Sequence, residues 1–344
     1  MGLKSLKSGR CGVTKEEAIK KYYEKLRVNR YSPKSIDTYT DDVRQYIAFI
    51  VANSGGTRDE RIGNFLTHLV VKKNVSASTQ KQYLCAIITF YRLVFGEEVG
   101  KLIYKPSSRQ KRPPVVLSRE EAWRVMDNLT GVGWLWGAIM WGCGLRLEEV
   151  CNLRVKDVDL DRKQVSVRDG KGGKDRIIPL AELLVEPVRT HLRNLERAHA
   201  DYSARRVPVW LPDALDRKYP SAPFSWEWFW LFPASGPVQN KSKNPAMHSA
   251  TPLLMHVHHS AVQKRIGRAI RDARIPKKAH CHTLRHSFAT HWLENSEGSH
   301  EIAIIRLQKL LGHSDPTTTM IYLHCVKQKT DVPSPLDVPL RRAA

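Results

Sequence analysis

From Thr14 to about Phe95, apolar residues recur three and four positions apart with polar residues between them: Ala18, Tyr22 and Leu26 share one face, and Tyr39, Val43, Tyr46 and Ile50 another. An α-helix turns every 3.6 residues, so this spacing predicts about four amphipathic helices. The punctuation agrees. Ser32-Pro-Lys-Ser35 puts a capping side chain before a proline, and Ser76-Ala-Ser-Thr79 precedes the run Tyr83, Ile87, Phe90, Tyr91 and Val94. Residues 105–114, rich in proline and positive charge, lose the apolar period and read as an interdomain linker. Ser118-Arg-Glu-Glu121 then opens a second domain with a capping box.

In that second domain helical spacing continues to about Arg154. Two short extended runs follow, Gln164 to Val167 and Asp175 to Pro179, flanking Gly170-Lys-Gly-Gly-Lys174: a hairpin with a cationic turn. A helix is expected from Glu182 to about Asp201, and residues 207–255 turn aromatic and proline-rich. Helical patterns return at His259–Ala273, Thr283–Leu293, Ile302–Leu311 and Pro316–Val326. The fold class is mainly α with a small β-sheet (α+β). It divides into an N-terminal tail (1–13), a helical domain (14–98), a basic linker (99–117), a second domain (118–332) with an inserted aromatic region at about 202–258, and a C-terminal tail (333–344).

Charge narrows the partner. The 344 residues carry 56 Lys and Arg against 34 Asp and Glu, a net +22, which makes a polyanion, first of all nucleic acid, the expected partner. An anionic membrane surface is the runner-up. A spanning helix is not expected, because no stretch approaches the roughly 18 unbroken apolar residues one needs, and no signal-peptide core follows Met1 to Arg10. A cytoplasmic, nucleoid-associated protein is expected. The six cysteines are scattered with no C-x-x-C pair, so reduced thiols are expected. Lys34, Lys72, Lys73 and Lys81 between the apolar positions, Lys111 and Arg112 in the linker, and Lys174 in the turn are candidate phosphate contacts. For each helix lysine taken singly an ordinary solvated cation is the preferred reading, and for the linker a plain solvated spacer is an equal alternative.

The chemistry-bearing residues lie in five segments: Cys143-Gly-Leu-Arg146-Leu-Glu-Glu149, Lys171, His282-Thr-Leu-Arg285, Leu310-Leu-Gly-His313, and Tyr322. A phosphodiester under attack gathers extra negative charge on its equatorial oxygens, so a catalyst needs fixed donors aimed there. Arg146 and Arg285 suit that task, being planar, charged and able to hold two oxygens at once. His282 and His313 can donate or move a proton, Tyr322 can act as nucleophile, and Lys171 can protonate the departing 5′ oxygen. Glu149 would orient Arg146. Such chemistry keeps the bond energy in a phosphotyrosine and needs neither ATP nor a cofactor. Taken singly, each residue also has a plain structural reading: a surface ion pair, a solvated turn lysine, a core tyrosine. His286 is expected to pack or cap locally. His282 and His286 share the i, i+4 spacing of a zinc helix, but the intervening residues lack a general-base Glu and place Arg285 beside the cation, so no metal site is expected.

Taken jointly, these segments resemble the tyrosine recombinase signature of the phage integrase family: an Arg in G-L-R-x-x-E, a Lys on a β-turn, H-x-x-R, then L-G-H and a Tyr nine residues beyond that His. The resemblance implies a two-domain C-shaped clamp, with a SAM-like helical core-binding domain and a catalytic domain closing around DNA. It also implies a 3′-phosphotyrosine intermediate and a homotetramer on paired sites. The 111 residues from Lys171 to His282, with Trp226-Glu-Trp-Phe-Trp-Leu-Phe-Pro233 and His256-Val-His-His259 between them, resemble the additional region of integron integrases. These capture or excise gene cassettes at folded single-stranded sites, whose unpaired bases offer faces to aromatic rings. Trp228 is the first candidate for such stacking, and His258 and His259 the second. The alternative is that Trp226, Trp228 and Trp230 form the buried face of a short strand. Two departures stand out: the stretch Glu294 to Glu301 is about five residues longer than the family pattern, and Leu323 stands where a small polar residue is usual. Rival readings are a catalytically impaired DNA-binding protein, a type IB topoisomerase-like strand transferase and a metal-dependent nuclease.

Overall fold

The structure, a computed structural model, describes residues 14–108, 113–170, 174–212, 215–239, 252–297, 299–323 and 325, with the backbone alone at 169, 170 and 174. Lys111, Arg112 and Lys171 lie outside the described residues, as does the side chain of Lys174. The chain divides into two units, residues 1–112 and 113–344.

Unit 1 contains α1 (Lys15–Val28), α2 (Pro33–Ala52), α3 (Arg58–Val71) and α4 (Ala77–Phe90), the last running into a π-helical turn at Tyr91–Phe95. Their N-termini are capped by Thr14, Ser32, Thr57 and Ser76, whose side-chain oxygens accept backbone N–H groups of the first turn. The apolar stripes meet in one core around Tyr22, Leu26, Tyr46, Phe65, Leu66 and Phe90. Buried tyrosine hydroxyls are satisfied there: Tyr22 Oη donates to Ala86 O at 2.9 Å, and Tyr46 and Tyr91 pair at 3.0 Å. The expected linker is docked over its first half. Gln80 Nε2 donates to Lys105 O (2.8 Å), Lys105 N donates to Thr67 Oγ1 (3.1 Å) and Ser107 N donates to Gln80 Oε1 (2.9 Å). Gly63 permits this approach, because a Cβ there would run into the Ile103 carbonyl.

Unit 2 begins with α5 (Arg119–Asp127), α6 (Val132–Gly142) and α7 (Leu147–Cys151). Helix α6, Val-Gly-Trp-Leu-Trp-Gly-Ala-Ile-Met-Trp-Gly, is apolar on every side and lies in the core of this unit. A three-stranded antiparallel sheet follows, ordered β1 (Val158–Asp159), β2 (Gln164–Gly170) and β3 (Lys174–Pro179), with Val165 opposite Ile178 and Val167 opposite Arg176. Side chains alternate across a strand, so Arg176 shares the inward face with Ile178.

After α8 (Glu182–Ala204) and the single turn α9 (Leu215–Lys218), the aromatic region holds 3-10 turns at Ala222–Phe224 and Trp226–Trp228 and isolated bridges such as Arg154 with Trp230 and Val209 with Leu254. The alternative of a tryptophan strand is therefore not met among the described residues. Trp230 alone of the three is fully buried, its Nε1 donating to Leu254 O at 2.9 Å. Helices α10 (His259–Asp272), α11 (Cys281–Glu294) and α12 (His300–Leu311) complete the unit. The helix expected over 316–326 is shorter: α13 covers Thr317–Met320 and Tyr322 follows in a turn. Among the described residues no helix is long and apolar enough to cross a membrane.

Gly63→Ala is expected to destabilise unit 1 by about 1–3 kcal/mol through overpacking. Amide hydrogen exchange should accelerate at residues 103–107 and stay unchanged in unit 2.

Candidate active site

The site is built on the C-terminal end of α12. Gly312, at φ +62°, turns the chain out of the helix, and His313 N–H returns to Gln308 O at 3.1 Å. The last carbonyls of a helix have no partner within it. Here three successive ones each receive a guanidinium: Arg176 Nε donates to Leu310 O (2.9 Å), Arg285 Nη2 to Leu311 O (2.7 Å) and Arg146 Nη2 to Gly312 O (3.3 Å). Arg285 rises from the second turn of α11, whose start is fixed by a capping box between His280 and Thr283, and it has no exposed surface. Its Nη1 donates to Gly144 O at 2.6 Å. Gly144 stands at φ +67°, and a Cβ there would strike the Phe288 ring.

Glu149 sits among the three cations. Its carboxylate accepts Arg146 Nη1 (2.7 Å), Arg146 N (2.8 Å), Arg176 Nη1 (3.0 Å) and Arg176 Nη2 (2.7 Å), and lies 3.8 Å from Arg285 Nη1. Burial opposes its charge, but the Arg176 and Arg146 guanidiniums outweigh that and bring its pKa down to about 2. Burial, then Arg146, lowers Arg285 to about 9, which leaves it charged at neutral pH. Three guanidiniums against one carboxylate leave this cluster at 3 − 1 = +2.

The histidines are neutral. Burial, followed by Arg285, lowers His282 to about 4 and His313 to about 3. His313 has both ring nitrogens engaged: Nε2 faces Arg285 Nη2 at 3.2 Å and Nδ1 faces Thr319 Oγ1 at 2.8 Å. Arginine can only donate, so Nε2 accepts and Nδ1 carries the hydrogen. Tyr322 is 1% exposed and packs with Ala289, Leu293, Leu307 and Leu311, its ring nearly parallel to that of His313. Its Oη lies 2.9 Å from His286 Nδ1. Burial raises its pKa, while Arg285 and Arg146 act in the opposite sense.

Arg146, Glu149, His282, Arg285, His313 and Tyr322, spread over 177 residues of sequence (322 − 146 + 1), thus gather in one place. Two neighbours escaped the sequence reading. Arg176 carried a signal in its place on the inward face of β3, and His286 in its i+4 spacing from His282, whose ring it meets edge-on at 4.6 Å. His286 does more than pack or cap locally, because it faces the tyrosine hydroxyl. The long stretch after α11 does not open the site. Arg119 Nη2 anchors Asn295 Oδ1 at 2.6 Å, α12 starts at His300, and Arg285 still reaches His313.

The other candidates are dispersed. Lys34 and Lys81 are exposed on α2 and α4. Trp228 is half-buried with Lys156 Nζ 2.8 Å from its ring centroid, and Arg154 Cζ lies 3.6 Å from the Trp230 centroid and 5.3 Å from that of Trp228. His258 caps α10, its Nδ1 2.7 Å from Ser260 Oγ, with the His259 ring 4.1 Å away. Among the described residues no three His, Cys, Asp or Glu side chains are grouped to hold a metal ion.

Residues 19–101 match the N-terminal SAM-like domain of phage integrases, and residues 135–329 match the phage integrase family domain itself. The chain belongs to the phage integrase family. This tyrosine recombinase is 38% identical to an integrase/recombinase of Escherichia coli over 91% of each chain, and 28% identical to the tyrosine recombinase XerA of Thermococcus onnurineus over 89% of this chain and 90% of that one. Its fold is similar to that of XerH bound to a palindromic difH substrate (TM-score 0.59, 19% identity, 90% of this chain and 82% of the other). It is also similar to the Tn1549 transposon integrase in complex with transposon right end DNA (TM-score 0.57, 15% identity, 89% and 94%). The enzyme is a site-specific recombinase of mostly helical, two-domain construction.

Two outcomes are expected of this recombinase. Glu149→Ala leaves buried guanidiniums uncompensated and should cost about 3–5 kcal/mol in urea unfolding. The folded state holds His282 and His313 far below the ordinary 6.5, so as pH falls from 7 toward 4 the unfolded chain binds protons that the folded chain does not. Stability should therefore drop across that window. A melting temperature that stays level from pH 7 to 5 would show these rings free to protonate in place.

Proposed function

We propose that the enzyme cuts and rejoins DNA by attack of Tyr322 Oη on a phosphodiester, giving a 3′-phosphotyrosine. The observation that carries this reading is the convergence of Tyr322, Arg285, Arg146, His282 and His313 at one positively charged site. Arg146 and Arg285 bind the non-bridging oxygens and stabilise the charge that develops there. Their positions are set beforehand by Glu149 and α12, so little reorganisation is left for the transition state. His282 completes the donor set, and His313, held in one tautomer by Thr319, positions Arg285 through its Nε2 acceptor. Lys171, which falls between β2 and β3 in the sequence, protonates the leaving 5′ oxygen. The phosphotyrosine conserves the bond, so religation needs neither ATP nor a metal.

We infer further that the enzyme is of integron integrase type and captures or excises cassettes at folded single-stranded sites. The support is the aromatic region between α8 and α10, rich in tryptophan and histidine and placed between the segments that bear Lys171 and His282. In this reading Trp228, with Lys156 and Arg154 beside it, stacks on an unpaired base, aided by His258 and His259. Lys34, Lys81, Lys111, Arg112 and Lys174 meet phosphates, the two units close on DNA as a clamp, and four protomers assemble on paired sites in the cytoplasm.

A nicked, labelled hairpin folded from one strand of a cassette-type site should give a denaturation-resistant protein–DNA band in EDTA. Tyr322→Phe should give none, and Arg285→Lys should slow its formation by about a hundredfold or more. A band that survives in Tyr322→Phe, or that requires a divalent cation, overturns the assignment. Trp228→Ala should weaken hairpin binding by about fivefold or more, and unchanged affinity in the folded variant removes the stacking role.

A further inference from the structure

Tyr322 must lose a proton as it attacks, and the hydrogen bond from its Oη runs to none of the residues assigned above: it reaches His286, while the neutral His282 stands behind, meeting the His286 ring edge-on at 4.6 Å. His313 is excluded, because its Nε2 already accepts from Arg285 and its Nδ1 donates to Thr319. Glu149 is excluded as well: Arg146 and Arg176 occupy both of its oxygens. What Oη faces, among the described residues, is the Nδ1 atom of His286 at 2.9 Å.

Resting on the tyrosine-nucleophile reading, we propose that His286 is a further catalytic residue, its Nδ1 accepting the Tyr322 hydroxyl hydrogen and taking the proton when Oη attacks phosphorus. The Oη–H bond breaks as the Oη–P bond forms, and the proton passes to Nδ1. The P–O5′ bond breaks, and the departing oxygen takes a proton from Lys171. Religation runs the same transfers backwards: the 5′-hydroxyl returns its proton to the lysine, and His286 returns its own to the tyrosine oxygen.

Geometry and electrostatics favour this direction. His286 is one turn beyond His282 and one residue beyond Arg285 on α11, so the helix that positions the phosphate-binding guanidinium also positions the proton acceptor. The groups that act on it include no carboxylate: His280 at the N-cap of α11, His282 and Arg285 on that helix, His313 beyond α12, and the phenol of Tyr322 beyond α13. Burial, then His282, holds its pKa at about 3 in the free enzyme, so the ring is neutral and a lone pair is available. A phosphodiester on Arg146 and Arg285 brings the negative charge that lets an imidazolium form there.

The test measures covalent complex formation from pH 6 to 9 on the nicked hairpin, made with either a 5′-bridging oxygen or a 5′-bridging sulfur. A sulfur leaving group needs no general acid, so it isolates activation of the tyrosine. His286→Ala is expected to slow cleavage of both substrates by about a hundredfold or more near pH 7, with the deficit narrowing as hydroxide replaces the lost base. His286→Asn keeps an acceptor oxygen but cannot take a proton. It should remain slow with both substrates while binding the hairpin normally, and it serves in place of His286→Ala if that variant does not fold. The inference is overturned if either folded variant cleaves at nearly the wild-type rate, if Asn restores full activity, or if sulfur rescues His286→Ala. If wild type itself gives no covalent product, the nucleophile assignment has failed, a result distinct from these three.

Discussion

Three guanidiniums within reach of one another repel strongly where water is scarce, and the fold overcomes this by converging them on a helix C-terminus and a single carboxylate. The end of α12 carries roughly half a negative charge, displayed on the very carbonyls that Arg176, Arg285 and Arg146 take up. Glu149 supplies the rest. These residues come from α7, its N-cap, β3, α11 and α12, so one cluster fixes how the sheet, the short helix after Gly144 and the last two long helices sit together. Catalytic readiness and the packing of unit 2 depend on the same bonds. The net positive charge that remains is what a phosphodiester would offset in the proposed function.

Much of this was legible in the sequence. Helical periods located α1, α2 and α4, Ser32 and Ser76 marked two of the starts, α3 was covered only by the expectation of about four helices, and the Gly-rich cationic stretch gave the hairpin. The short motifs named six residues that the fold does bring together. Other features were hidden because they depend on what lies across the core. Arg176 reads as a surface cation until Glu149 and the Leu310 carbonyl are seen opposite it. His286 was set aside because it lies outside the motif and was expected to pack or cap locally, whereas its hydroxyl partner Tyr322 lies 36 positions away (322 − 286). The 316–326 segment looked helical by its period, yet Tyr322 is turned into the α11–α12 core after the single turn of α13. The tryptophans at 226, 228 and 230 suggested strand alternation, while the chain folds into a 3-10 turn there and sends only Trp230 fully inside.

The linker shows a related limit of composition. Proline and charge predicted a free tether, but backbone groups at Lys105 and Ser107 find partners on Gln80 and Thr67, and the absence of a side chain at Gly63 lets the chain lie close. On the other side Leu117 N donates to Ser287 Oγ, and Leu117 is fully buried.

Tyr322 is a brick in a small apolar cluster with Leu293, Leu307 and Leu311. In the proposed mechanism, a nucleophile held as masonry would not wander to stray phosphates or to water, and could not be aimed without moving the wall around it. A displacement of the chain just past α13 would then be felt in the packing of α11 against α12.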